Sequence, residues 1–217
     1  MSKLILDLCG GSGSWSKFYK EAGYKVVVVT LPKFNIMDIQ FNDAGTLELH
    51  DNEKDILKVI YVMDIYGILA APPCTMFSLA RTTAKTPRDL NDGMKIVKKC
   101  LEIIWFVRGH QYSKLKFWAL ENPVGYMRQF LGIPQLTMQP FNYGDPYTKK
   151  TDIWGYFKTP RMNPIILTDQ QKYLCSINNR ELPDLPDGYK PVDGNLQAAR
   201  RAMTPCGFAQ AFFKSNP

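Results

Sequence analysis

A chain of 217 residues, 45% of them hydrophobic, buries one substantial core, so a single domain over residues 1–217 is expected. No apolar run reaches the ~18 residues a membrane-spanning helix needs. Five widely spaced cysteines, no CxxC pair and only two histidines argue against a disulfide framework or a zinc site and for a reducing, cytoplasmic setting, while a net charge of +7 favours a polyanionic partner.

Residues 3–8 predict a short apolar strand that ends around Asp7 and runs into the turn Cys9-Gly10-Gly11-Ser12-Gly13-Ser14. Trp15, Phe18, Tyr19 and Ala22 then recur at helical spacing, with Gly23 as the stop. Four consecutive valines within residues 25–30 predict a strand buried on both faces. Strand, glycine turn, helix and strand make a βαβ opening, hence an α/β fold with a parallel sheet. The turn admits two readings. It is a cradle where backbone approaches a ligand at a helix amino end, or a tight turn with no ligand, since GGSGS has neither the GxGxxG spacing nor the Lys-Ser/Thr ending of a P-loop.

After a polar connection holding Asn35, Asp38 and Ile39, residues 55–64 predict a helix, and residues 66–71 a strand that meets Pro72-Pro73 and then Cys74. Prolines stop sheet pairing, so Cys74 is expected at the carboxyl end of its strand, where open parallel sheets bind ligands. There it is a candidate nucleophile; a small buried thiol is the other reading. Residues 81–92, with Arg81, Lys85 and Arg88, read either as a basic lid beside Cys74 or as solvated surface. Residues 94–107 predict an amphipathic helix with Ile96, Cys100, Ile103 and Ile104 on one side, and Cys100 and Cys206 read as packing residues. Residues 117–120 predict a strand that delivers Glu121-Asn122-Pro123, so Asp7, Cys74 and Glu121 are expected along one rim of the sheet.

In this order, LDLCGGSGSW, APPCTMFSLAR, WALENPVG and YGDPYTKKT, with TPCGFAQAFF near the end, resemble the motifs of the DNA cytosine-5 methyltransferases. The chain looks like a short, phage-type member of that family, and the resemblance covers nearly its whole length. It implies a Rossmann-like sheet with helices on both faces, and methyl transfer from S-adenosylmethionine to carbon 5 of cytosine, in the host cytoplasm if the chain is phage-encoded. By resemblance Cys74 is the nucleophile that adds to carbon 6 of the ring, Glu121 holds ring nitrogen 3, and Lys149 stands in a motif whose usual arginines face the base and its phosphate. Implied cofactor contacts are Asp7, Cys9, Gly10, Gly11, Ser12, Gly13, Ile39, Pro73 and Thr204, together with Asp38 toward the adenine amine. Implied substrate contacts are Ser78, Arg81, Lys150, Thr151 and Asn122, the last chiefly in holding the rim. No metal is required, because Cys74 supplies the activation.

Three departures accompany the resemblance. Val29-Thr30-Leu31-Pro32 stands where relatives carry an acid for the ribose hydroxyls, Cys9 replaces an aromatic residue, and Lys149-Lys150-Thr151 keeps positive charge but loses the planar fork of arginine. Residues 152–199, interrupted by Pro160, Pro164, Pro183, Pro186 and Pro191, read as a reduced, irregular segment in place of a recognition lobe, so sequence preference is expected to be short or relaxed. DNA is the expected partner. A cytosine mononucleotide or RNA as substrate, or a catalytically weak nucleic-acid- or cofactor-binding relative, are the alternatives.

Overall fold

The computed structural model describes residues 3–79, 86–170 and 184–217. Strand β1 (Leu4–Leu8) is buried along its whole length, as a run that is apolar at every position but Asp7 must be. Helix α1 (Lys17–Glu21) returns the chain to β2 (Lys25–Val29), which pairs in parallel with β1. Here the structure corrects the expectation of a strand covered on both faces. β2 lies at the edge of the sheet, so Val27 and Val29 are buried while Val26 and Val28 are half-covered.

A 3₁₀ turn at Ile36–Asp38 leads into three antiparallel strands, β3 (Gln40–Asn42), β4 (Thr46–Asp51) and β5 (Ile56–Tyr61). The helix expected over residues 55–64 is therefore a strand followed by a 3₁₀ turn at Val62–Asp64. The spacing of Ile56, Val59 and Ile60 suits a helix, but these are β-branched side chains, and the tight turn with Asp55 at φ 53° folds them back onto β4.

Strand β6 (Ile65–Ala70) pairs in parallel with β1, and after α2 (Leu90–Gly109) strand β7 (Phe117–Pro123) pairs in parallel with β6. The short helix α3 (Arg128–Leu131) precedes β8 (Leu136–Met138) and β9 (Thr151–Tyr156), giving the sheet order β2-β1-β6-β7-β9-β8. β9 runs antiparallel to both neighbours, so the expected parallel sheet is mixed. It also means that the segment 152–199 opens with sheet core rather than irregular chain. Helices α4 (Leu196–Ala202) and α5 (Cys206–Ser215) follow.

The fold is α/β and Rossmann-like, with helices on both faces of the sheet. On one face α2 buries Val97, Cys100, Ile103, Ile104 and Val107 against Leu6, Ile68 and Leu120. On the other, Trp15 and Tyr19 join Phe208 and Phe212 of α5 over Ile5, Leu69 and Ala119. Strand residues of opposite parity feed the two cores, as the two-residue period of a strand requires.

Candidate active site

Three parallel strands finish at one rim. β1 delivers Asp7 and the turn that follows, β6 stops short of Pro72-Pro73 and delivers Cys74, and β7 delivers Glu121. Because β9 is antiparallel, it begins at the rim where the others end. That reversal carries Lys149 and Lys150, just before Thr151, to the side of the sheet that holds Cys74 and Glu121.

A cavity of about 870 Å³ opens at this rim, within the size range of small-molecule sites. The first turn contributes Asp7, Cys9, Gly10, Gly11 and Ser12, and the proline turn Pro73, Cys74 and Ser78. Glu121, Lys149 and Lys150 face them, and Thr204 closes the wall from the carboxyl-terminal segment. That segment is tied down at two points: the Thr204 backbone NH donates to Ser14 Oγ at 2.9 Å, and Lys149 Nζ donates to the Met203 carbonyl at 3.0 Å.

Other expected site residues lie outside the cavity lining. Asn122 is fully buried, and its Nδ2 donates to the Pro72 carbonyl at 3.0 Å, bolting the end of β7 to the proline turn. Thr151 is buried and donates to the Lys149 carbonyl at 2.9 Å, which shapes the approach of the lysine pair. Gly13 backs onto Val28. Asp38 is exposed and accepts from Asn35 Nδ2 at 3.0 Å, while Ile39 is part of the core. Arg81 lies outside the described residues, as does Lys85.

Charge is arranged around the thiol in a specific way. Burial pushes the Glu121 carboxyl up, with Lys149 pulling the other way. Burial also pushes the Cys74 thiol up; the Glu121 carboxylate adds to this, and Lys149 opposes it. Lys149 is thus the cation common to both acids.

The chain is similar to the type II methyltransferase M.DdeI of Desulfomicrobium norvegicum, at 25% identity across 79% of this chain and 45% of that protein. It therefore spans less than half the length of this relative. No family model matches. Among solved structures it has loose likenesses to the Entamoeba histolytica methyltransferase EhMeth (13% identity, TM-score 0.40, 79% of this chain and 58% of that one) and to a mutant of Spodoptera frugiperda DNMT2 (17%, TM-score 0.37, 79% and 56%).

Asp7 forms the floor of the site. It is wholly buried, Ser16 Oγ donates to its Oδ2 at 2.5 Å, and its Oδ1 has no hydrogen-bond partner among the described residues. A side chain on Gly10 would collide with this carboxylate, so only glycine lets the turn pass over it. Burial pushes the Asp7 carboxyl up to about 7, from an ordinary 3.8. A carboxyl raised on folding contributes stability below its unfolded value and loses it as pH rises through the folded one. At ~1.4 kcal/mol per pH unit the whole effect is roughly 4 kcal/mol, of which roughly 3 kcal/mol falls between pH 5 and 8. Urea unfolding at both pH values is expected to show the wild type losing stability with rising pH and Asp7→Asn following a flatter course. Equal slopes would contradict the assignment.

Several wall residues were not anticipated as site residues. Trp15 read as part of a helical stripe, yet it precedes α1 and lines the cavity, with its indole Nε1 lacking a partner among the described residues. Tyr189 reaches the cavity from the region read as irregular, with its hydroxyl beside Gly11, while Arg201, which also lines the cavity, comes from α4 just beyond that region. The aromatic residue itself was the available signal for Trp15; nothing local to Tyr189 points across the chain to the first turn. Among the described residues no cluster of His, Cys, Asp and Glu has the makings of a metal site, and no helix is long and apolar enough to cross a membrane.

Proposed function

We propose that this protein transfers a methyl group from S-adenosylmethionine to carbon 5 of cytosine in DNA, through a covalent adduct with Cys74. The observation that carries this reading is the convergence of Cys74, Glu121 and Lys149 in one cavity beside a glycine turn. The likeness to a type II methyltransferase supports the reaction class.

The residues fit the cofactor. Buried polar atoms without partners require an explanation, and Asp7 Oδ1 and Trp15 Nε1 are an acceptor and a donor of this kind on residues that line the cavity at the first turn. Asp7, Cys9, Gly10, Gly11, Ser12, Pro73 and Thr204 would hold S-adenosylmethionine, which supplies an electrophilic methyl group when bound. Asp38, exposed and outside the cavity, is assigned to the adenine amine by resemblance alone.

Carbon 5 of cytosine is too electron-poor to take a methyl group unaided. The Cys74 thiolate forms a bond to carbon 6, and Glu121 protonates or hydrogen-bonds ring nitrogen 3, so the displaced electron pair is directed to carbon 5. Once carbon 5 is methylated, loss of its proton to water, departure of the Cys74 sulfur and return of the nitrogen 3 proton to Glu121 restore the aromatic ring and the starting carboxyl. Lys149 steadies the negative charge shared by thiol and carboxyl during the attack.

A paired cytosine must first be rotated out of the duplex, at a cost of a few kcal/mol that is smallest for mismatched or single-stranded sites. Among the described residues few groups are placed to repay that cost. Arg200 is engaged by Asp184 at 2.6 Å and Arg88 by main-chain carbonyls, which leaves Lys149, Lys150 and Arg201 as the cations lining the cavity. Binding is therefore expected to weaken steeply with salt and to read little sequence. Labelled cofactor offered with matched duplex, mismatched duplex, single-stranded DNA, RNA and dCMP is expected to label DNA, with mismatched and single strands at least as good as matched ones. Oligonucleotides carrying 5-fluorocytosine should trap the protein. Transfer to RNA or dCMP alone would change the substrate, and absence of both transfer and trapping would overturn the reading.

A further inference from the structure

Arg88 holds the turn that carries Cys74 from outside the cavity. Arg88 sits just before Asp89, the residue that caps α2 by accepting from the Asp92 backbone NH at 2.8 Å, so its own backbone is well fixed. Its guanidinium sends Nη1 to the Met76 carbonyl at 2.9 Å and Nη2 to the Ser78 carbonyl at 2.8 Å. The carbonyl between them, that of Phe77, accepts from the Tyr126 backbone NH at 2.9 Å, and the guanidinium lies 5.0 Å from the centre of the Tyr126 ring. Ser78 also bridges to Gly125, where any side chain would collide with the Phe77 carbonyl.

Three consecutive carbonyls after the thiol are thus held by three N–H donors from two residues, Arg88 and Tyr126, whose guanidinium and ring lie close together. Within the turn the backbone NH groups of Phe77 and Ser78 return to the Cys74 carbonyl at 2.9 and 2.8 Å. Movement of residues 76–78 is consequently movement of Cys74. A planar, charged fork reaches two carbonyls at once with little loss of freedom, whereas a lysine ammonium is a single point of donation.

We propose that Arg88 is a positioning residue that holds the Cys74 turn in its reactive geometry, and not a contact to nucleic-acid phosphate. The proposal rests on the reading of Cys74 as nucleophile, and its test separates the two. An attacking atom displaced by about 1 Å costs on the order of a hundredfold in rate. A freed turn also brings the thiol into water, away from the burial and the Glu121 charge that hold it protonated. Loss of the clamp should therefore slow methyl transfer and speed simple alkylation of the same sulfur.

Arg88→Ala and Arg88→Lys are compared with wild type, with folding followed by circular dichroism and Cys74 alkylation by iodoacetamide at pH 8 followed by peptide mass spectrometry. For Arg88→Ala, kcat is expected to fall at least about tenfold and alkylation to accelerate at least about threefold, with KM for DNA, its salt dependence and the cofactor dissociation constant unchanged. Arg88→Lys should fall between; if the alanine variant does not fold, the lysine variant decides alone. Unchanged alkylation, or an unchanged kcat with a raised KM and a shallower salt dependence, would overturn the proposal in favour of a phosphate contact or a surface residue. If the wild type transfers no methyl group to any substrate but the variants still alkylate faster, the functional reading fails and the positioning role stands.

Discussion

Replacing Cys74 by serine is expected to leave a folded protein that binds S-adenosylmethionine and transfers no methyl group. Cys74 is half-buried, so the exchange of sulfur for oxygen costs little packing, within ~1 kcal/mol. An alcohol is far harder to ionise than a thiol, and Cys74 already sits where burial and the Glu121 carboxylate disfavour a negative charge. The loss in kcat is expected to be at least ~10³-fold, with the cofactor dissociation constant, measured by calorimetry, within about twofold. Retention of a tenth of the activity would rule out the proposed nucleophile. The natural control is Cys206→Ser. Cys206 is exposed at the start of α5 rather than packed, as its sequence context had implied, and serine suits that position. Cys100→Ser is a poorer control. Its thiol is fully buried on α2 against Cys9, and a hydroxyl placed there costs ~1–3 kcal/mol unless it finds a partner.

Much of the site was legible because three strands announce their own ends. The apolar runs at β1, β6 and β7 are buried with few breaks, and each meets a turn residue or a proline just where a polar side chain appears. What the local pattern does not carry is direction and depth. Nothing within YGDPYTKKT says that β9 runs against its neighbours, yet that reversal alone brings Lys149 to the rim. The valines of β2 look the same whether the strand is central or at an edge, and only the sheet order decides. The helical spacing in β5 was overridden by pairing with β4, a contact that a window confined to residues 55–64 does not contain. Arg88 reads as one more cation in a basic loop, because its partners are main-chain carbonyls, which every residue possesses. Residues brought in from far along the chain, such as Tyr189 against the first turn, depend on tertiary closure in the same way.

Glu121→Gln is expected to lower kcat by ~10²–10³-fold and to change the form of the pH profile, not only its height. In the wild type the pair Cys74 and Glu121 is competent when it holds one proton between them. With two, the sulfur is a thiol and attacks poorly; with none, the carboxylate has nothing to give to ring nitrogen 3. Burial pushes Glu121 up and, with the Glu121 charge, pushes Cys74 up as well, so the competent window is bounded below by loss of the first proton and above by loss of the second. These limits belong to the pair and not to either residue. A bell-shaped profile follows, with its rising limb above the ordinary carboxylate range and its falling limb above the ordinary thiol range. Glutamine fills the same space and keeps a hydrogen bond to nitrogen 3, but it removes both the transferable proton and the negative neighbour. Cys74 is then left with burial pushing it up and Lys149 opposing, so its ionisation moves down. In Glu121→Gln the falling limb is expected to vanish, and the residual rate to rise with pH toward a plateau as the thiolate forms. Rates on single-stranded oligonucleotides from pH 5.5 to 10 would show this, with iodoacetamide alkylation of Cys74 over the same range reporting its ionisation separately. A variant that kept the bell with only its height reduced would mean that Glu121 positions the base without exchanging a proton with it.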